Sequence, residues 1–251
     1  MAEQHEQPAK PVPTIIWHPS PNFGDRPAGA AIDTLVLHYT GMPNGEMALT
    51  RMCDPASQVS AHYMVEEDGC IYQLVAESKR AWHAGRGFWR GCTDINSSSI
   101  GIEIVNPGHE FGYRPFPDVQ IDAVITLCRD ILSRHAIPAD RIIGHSDMAP
   151  DRKEDPGELF PWNSLAANGI GLWPTITRTP PDIDTDIDTA TDAPCDPAKF
   201  DTMLDRLGYA ANDRLKRRIA FQRHWRPDDI SGEIDPPCMA IARALLAQTG
   251  R

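Results

Sequence analysis

The sequence has no apolar run approaching the ~18 residues that a membrane-spanning helix needs. Its opening segment, MAEQHEQPAKPVPTIIWHPS, carries neither a basic head nor the apolar stretch of a secretory leader, so no export signal is expected. There is no C-x-x-C pair either. The six cysteines, Cys53, Cys70, Cys92, Cys128, Cys195 and Cys238, are scattered, which disfavours a cysteine-only zinc knuckle and a dense disulfide framework. Isolated thiols without a leader fit a cytoplasmic location, with the periplasm or cell envelope as the alternative if the sequence is trimmed. Basic residues are outnumbered 24 to 35, for a net charge of −11. A phosphate backbone calls for a basic face, so nucleic acid is not an expected partner.

What is present is a chain of 251 residues, 41% apolar and 24% charged, enough for one large domain and a small one. Its organising stretch is 141–162, RIIGHSDMAPDRKEDPGELFPW. An apolar run, Ile142-Ile143, stops at Gly144, and His145 stands just past it. Asp155 follows in Asp155-Pro156-Gly157, with Lys153 two positions earlier. Proline and glycine oppose a helix and predict a stiff loop that can return a carboxylate to the strand end. Read alone, these residues fit either a metal site with a polarised carbonyl or a solvated loop.

The rest of the chain bears on that choice. Residues 1–30 read as an irregular arm rich in Pro and Gly. A buried strand is predicted over 32–39, ending in His38. Two strand-end histidines and a loop aspartate make a His₂Asp set, which suits zinc with a position left open for water. A short helix is expected over 45–53, then strands over 59–65 and 70–75 joined by the turn Glu67-Asp68-Gly69. His62, in the middle of the first of these, reads as a packed histidine more readily than as a further ligand. Trp82 and His83 fall in a loop, where an aromatic beside an imidazole suits stacking on a ligand, or Trp82 caps the core. Glu103 sits inside the apolar strand 99–106. A glutamate there is costly unless paired or used, and desolvation raises its pKa as a general base requires. From Phe116 onward, Val119, Ala123, Val124, Leu127, Ile131 and Leu132 mark one helix face. Interleaved strands and helices predict one α/β domain.

With these residues in view, the sequence resembles the zinc-dependent N-acetylmuramoyl-L-alanine amidases, in the superfamily shared with peptidoglycan recognition proteins. The segments LVLHYTG, VSAHYMVEEDGCIYQLV, RAWHAG, SSIGIEIVN, GHSDMAPDRKEDPG and LFPW occur in the family's order over roughly 30–165. The resemblance implies a mixed central β-sheet flanked by helices and a Zn²⁺ cofactor held by His38, His145 and Asp155, with Glu103 as general base and Lys153 as transition-state stabiliser. It places Trp82 and His83 along the substrate groove and makes a muropeptide or peptidoglycan the partner. Some phage relatives carry a catalytic tyrosine where this chain has Ala61, so the acid–base work is expected to rest on Glu103.

The catalytic domain implied spans 31–173. An acidic linker rich in Pro, Thr and Asp follows over 174–197. In 198–251, Phe200, Met203, Leu204 and Leu207 mark one helix. Asn212 or Asp213 caps a second with Leu215, Ile219 and Gln222, and Pro236-Pro237 opens a third with Ile241, Leu245 and Leu246. This three-helix bundle resembles the peptidoglycan-binding domain that often follows such amidases, although the turn reads Ser231-Gly232 where Asp-Gly is usual. The alternatives to an amidase of muropeptides are a non-catalytic peptidoglycan recognition module and a zinc hydrolase of another amide.

Overall fold

The computed structural model describes residues 14–176 and 195–251. The first thirteen residues and most of the expected acidic linker, 177–194, lie outside the described residues. In chain order the elements are β1 (Ile15–Trp17), β2 (Phe23–Asp25), β3 (Thr34–Tyr39), α1 (Gly45–Cys53), β4 (Tyr63–Val65), β5 (Ile71–Gln73) and β6 (Lys79–Ala81). Then come α2 (Ile95–Ser98), β7 (Ser99–Ile104), α3 (Gly108–Phe111), α4 (Asp118–Arg134), β8 (Ile142–Gly144), α5 (His145–Met148) and α6 (Trp162–Ala167). The C-terminal helices are α7 (Pro197–Leu207), α8 (Arg214–Trp225) and α9 (Pro236–Gln248).

Six strands form one sheet in the order β1-β5-β4-β7-β3-β8, and β2 pairs with β6 in a small second sheet. The strands β4, β7, β3 and β8 are mutually parallel, whereas β4 and β5 are joined as an antiparallel hairpin. Leu35, Val36 and Leu37 of β3 have no exposed surface, as expected of a strand covered on both faces. Period-two alternation divides the sheet. Leu35, Leu37, Ile100, Ile102 and Ile104 face α4 and its Val124, Leu127 and Ile131. The opposite face carries Val36 and Ile143, which share a core with Phe200, Tyr209, Phe221 and Leu245 of the C-terminal helices.

Several expectations need correcting. The arm contains β1 and β2, because Phe23–Asp25 finds a backbone partner in Lys79–Ala81. The stretch after Gly144 begins with one helical turn, α5, before it becomes a loop. In α4, Val119 is 52% exposed and Leu132 only partly buried; the buried face instead includes Gln120, whose Nε2 donates to Val65 O and Val105 O. In α8, Leu215 is exposed and the buried side carries Arg217, Ala220, Phe221, Gln222, His224 and Trp225. Arg217 is tolerated there because Asp201 and Asp205 pair with it. Asp213 does cap α8, its carboxylate accepting from Leu215 N and Lys216 N. No helix among the described residues is long and apolar enough to cross a membrane.

These burial differences set a stability test. Leu127→Ala, emptying a fully packed position on α4, is expected to cost about 2–5 kcal/mol, while Val119→Ser stays within about 0.5 kcal/mol. Urea unfolding midpoints of the two variants check the assignment of the helix face.

Candidate metal centre

Strand register gathers the first three residues of the site. His38 of β3 is the Cα partner of Glu103 on β7, and parallel pairing directs both side chains to the same face. Gly144 at the end of β8 is paired with Leu37, so His145 leaves the strand beside His38. The loop then doubles back: Ser146 N donates to Asp155 O at 2.9 Å, which returns the Asp155 carboxylate to the strand end. Gly144 permits this, since a Cβ there would run into Pro156.

Three atoms meet at one point. His38 Nδ1 lies 3.0 Å from His145 Nδ1, and Asp155 Oδ2 is 2.9 Å from the first and 3.1 Å from the second. All three residues are buried. Their far nitrogens are already engaged. His145 Nε2 donates to Ala84 O at 3.0 Å. His38 Nε2 is 3.0 Å from His83 Nδ1, and His83 Nε2 is 3.1 Å from Ser99 Oγ. Ser99 Oγ donates its only proton to Ile95 O at 2.6 Å, so it must accept from His83 Nε2–H. His83 Nδ1 is then an acceptor, and His38 Nε2 carries the ring proton. A backbone carbonyl thus sets the tautomer of His38 through two intervening side chains.

The consequence is electrostatic. Both Nδ1 atoms present lone pairs to each other and to a carboxylate oxygen. Burial pushes the His38 imidazolium down to about 4, so a ring proton is a poor remedy. Burial opposes the Asp155 charge as well, and only positive charge at the His145–His38 end outweighs it and holds that carboxyl well below its usual range. Two neutral imidazoles and one carboxylate so placed suit a divalent metal ion.

Glu103 borders the same spot. Its Oε2 is buried and has no hydrogen-bond partner among the described residues. Burial, then the nearby Asp155 charge, raises its pKa well above that of a free glutamate, against the pull of Lys153. The half-buried Lys153 and Trp82 line the cleft of about 380 Å³ that leads to these groups, as do Arg51 and Arg152. His83 also touches the cleft, but it is 8% exposed and both ring nitrogens are occupied. Gly101 makes room for it, because a Cβ in the middle of β7 would overlap the His83 ring. His62 is packed: its Nδ1 accepts from Gly101 N, its Nε2 lies by Arg26 and Lys79 O, and burial pushes it down to about 3.

Sequence reasoning missed two supports. Arg26, in the supposed arm, donates to Glu77 O, Ser97 O and Ser99 O and so fastens the segment that precedes β7. Arg152 donates to Ala84 O, the carbonyl that orients His145. Only the charge of Arg152 next to Lys153 in the loop could have signalled it.

If the three atoms hold a cation, a divalent transition metal should raise the thermal midpoint of the protein and a chelator should lower it. In Asp155→Ala neither addition is expected to move the midpoint, which differential scanning fluorimetry can read directly.

The family model described as N-acetylmuramoyl-L-alanine amidase matches residues 28–158, just over half of the chain. The N-acetylmuramoyl-L-alanine amidase AmiD of Escherichia coli K12 is 40% identical over 238 residues, covering 88% of this chain and 84% of AmiD. The 1,6-anhydro-N-acetylmuramyl-L-alanine amidase AmpD of Enterobacter cloacae is 33% identical over 166 residues, covering 59% of this chain and 87% of AmpD. Among solved structures, E. coli AmiD in complex with the substrate anhydro-N-acetylmuramic acid-L-Ala-D-gamma-Glu-L-Lys superposes with a TM-score of 0.76 at 36% identity, over 91% of this chain and 98% of that one. AmpDh3 of Pseudomonas aeruginosa gives a TM-score of 0.75 at 28% identity over all of both chains. The architecture built from this sequence is therefore that of a known enzyme group, and the chain belongs to the N-acetylmuramoyl-L-alanine amidase family.

Proposed function

We propose that the protein is a zinc-dependent N-acetylmuramoyl-L-alanine amidase that hydrolyses the amide between the lactyl group of N-acetylmuramic acid, or its 1,6-anhydro form, and the L-alanine of the stem peptide. The observation that carries this reading is the convergence of His38 Nδ1, His145 Nδ1 and Asp155 Oδ2 beside an unpartnered, buried Glu103. A muropeptide is the substrate class, in peptidoglycan turnover or recycling. Residues 31–173 form the catalytic domain in this reading and 198–251 an accessory helical domain. Compartment follows from neither and is left to fractionation of cells.

His38, His145 and Asp155 are the residues that would hold zinc. When bound there, zinc polarises the substrate carbonyl and lowers the pKa of a water ligand to about 7. Glu103 Oε2 has a raised pKa and no competing donor, so it accepts the proton of the attacking water as the new C–O bond forms. The Lys153 ammonium, free of ion pairs among the described residues, faces the charge that develops on the carbonyl oxygen. A preorganised charge of that kind is worth about 3 kcal/mol in the transition state. As the C–N bond breaks, Glu103 returns its proton to the departing alanine nitrogen, leaving a free carboxylate and a free amine. Trp82 offers an aromatic face along the groove for the sugar or peptide. His83 works from beneath, by fixing the His38 ring.

A recognition module without catalysis would have no use for the raised Glu103. Two variants separate the roles. Glu103→Ala is expected to keep its zinc, measured by plasma mass spectrometry, and to lose at least about a hundredfold in turnover. Asp155→Ala is expected to lose both zinc and turnover. A Glu103→Ala enzyme of normal rate would refute the base assignment.

A further inference from the structure

The C-terminal helices end on the loop that carries His145, Lys153 and Asp155. We propose that α7–α9 form a positioning element of the metal centre, acting through Asp147, in addition to any part they take in holding glycan. The inference rests on the zinc reading given above.

Asp147 lies two residues after His145, in α5, and has no exposed surface. Its carboxylate is divided between the two parts of the chain. Oδ2 accepts from Gly144 N at 2.7 Å, which fixes the angle at which the backbone leaves β8 for His145. The same oxygen is 2.7 Å from His224 Nδ1 of α8. Oδ1 accepts from Tyr209 OH at 2.6 Å, and that hydroxyl in turn accepts from Trp225 Nε1 at 2.9 Å. His224 is sandwiched between Trp162, stacked at 3.8 Å, and Trp225, at 3.7 Å. Tyr209 is packed edge-on against Trp89. The donors to Asp147 are therefore buried, locked by aromatic packing, and few in their rotamers.

Further along the loop, Asp151 accepts from Asn212 N and Asp213 N at the start of α8, and Lys216 Nζ donates to Asp151 O. Arg223 reaches Glu154 and Glu158 on either side of Asp155. These outer contacts are more exposed and weigh less. Docking alone needs none of this, because Val36, Ile143 and Met148 already share an apolar core with the helices. A buried carboxylate whose donors come from α8 and the turn before it places the bundle in control of the turn from which His145 projects. Partners of this kind behind metal-ligating residues are typically worth about 10–100-fold in affinity.

The test measures zinc dissociation constants of the full chain by competition with a fluorescent chelator. Tyr209→Phe deletes one oxygen, and His224→Leu removes the second donor. Both are expected to weaken zinc binding about tenfold or more, with far-ultraviolet dichroism unchanged and, at saturating zinc, KM for a muropeptide unchanged. His224→Asn, whose Nδ2 can stand where Nδ1 donates, should recover part of the loss. Met239→Ala, which weakens the bundle core on α9, an element that gives Asp147 no hydrogen bond among the described residues, should leave zinc affinity as in the wild type; a loss as large as that of Tyr209→Phe would make the effect one of general stability and overturn the proposal. Should His224→Leu fail to fold, Tyr209→Phe carries the test. Folded variants that bind zinc as tightly as the wild type would also overturn it. A wild-type chain that takes up no zinc would instead overturn the metal reading on which it rests.

Discussion

Two imidazole nitrogens and a carboxylate oxygen, each an acceptor, are held within about 3 Å of one another inside the protein. Among the described residues no other group of His, Cys, Asp and Glu comes together in this way. Three lone pairs at one point suit a cation, and burial makes a second ring proton an expensive alternative. The fold provides the confinement. Parallel register sets His38 level with Glu103, the end of β8 delivers His145, and a loop closed on Ser146 brings back Asp155. Each of the three is then tied from behind, so that relaxation away from the point is blocked.

The two faces of the sheet have different tasks. The face toward α4 is an apolar layer whose burial helps hold the strands in register. The other face is polar around His38 and Glu103 and apolar around Val36 and Ile143, where the C-terminal helices cover it. The proposed catalytic groups therefore sit at the border between a dry core and an open cleft. That border explains how Glu103 keeps a raised pKa while remaining within reach of a substrate.

The residues that meet at the proposed site were the most legible part of the sequence. A histidine ending an apolar run, and a glutamate within one, conflict with the local pattern, and such conflicts mark function. The α/β class followed from strands interleaved with helices, while the mixed sheet was implied only by the family resemblance. What stayed hidden was whatever depends on partners distant in the chain. His83 was read as a groove residue because it follows Trp82, and its link to His38 through Gly101 and Ser99 has no local signature. Asp147 has no local signature either, because its partners Tyr209 and His224 lie more than sixty residues away in the chain. The face of α8 was misjudged because periodicity counts apolar residues, whereas Arg217 and Arg223 are buried there by virtue of their ion pairs. Val119 was assigned to the core on spacing alone, and the end of the helix turned it toward solvent.

The central claim is that water attacks the lactyl carbonyl of the muramic residue at this site. Digestion of an anhydromuramyl peptide in heavy-oxygen water, followed by mass spectrometry of both fragments, tests it most directly. The account requires one heavy oxygen in the carboxylate of the muramic fragment and an unlabelled peptide with a free L-alanine amine. Label in a peptide carboxylate, or a cut at any other bond, would contradict it.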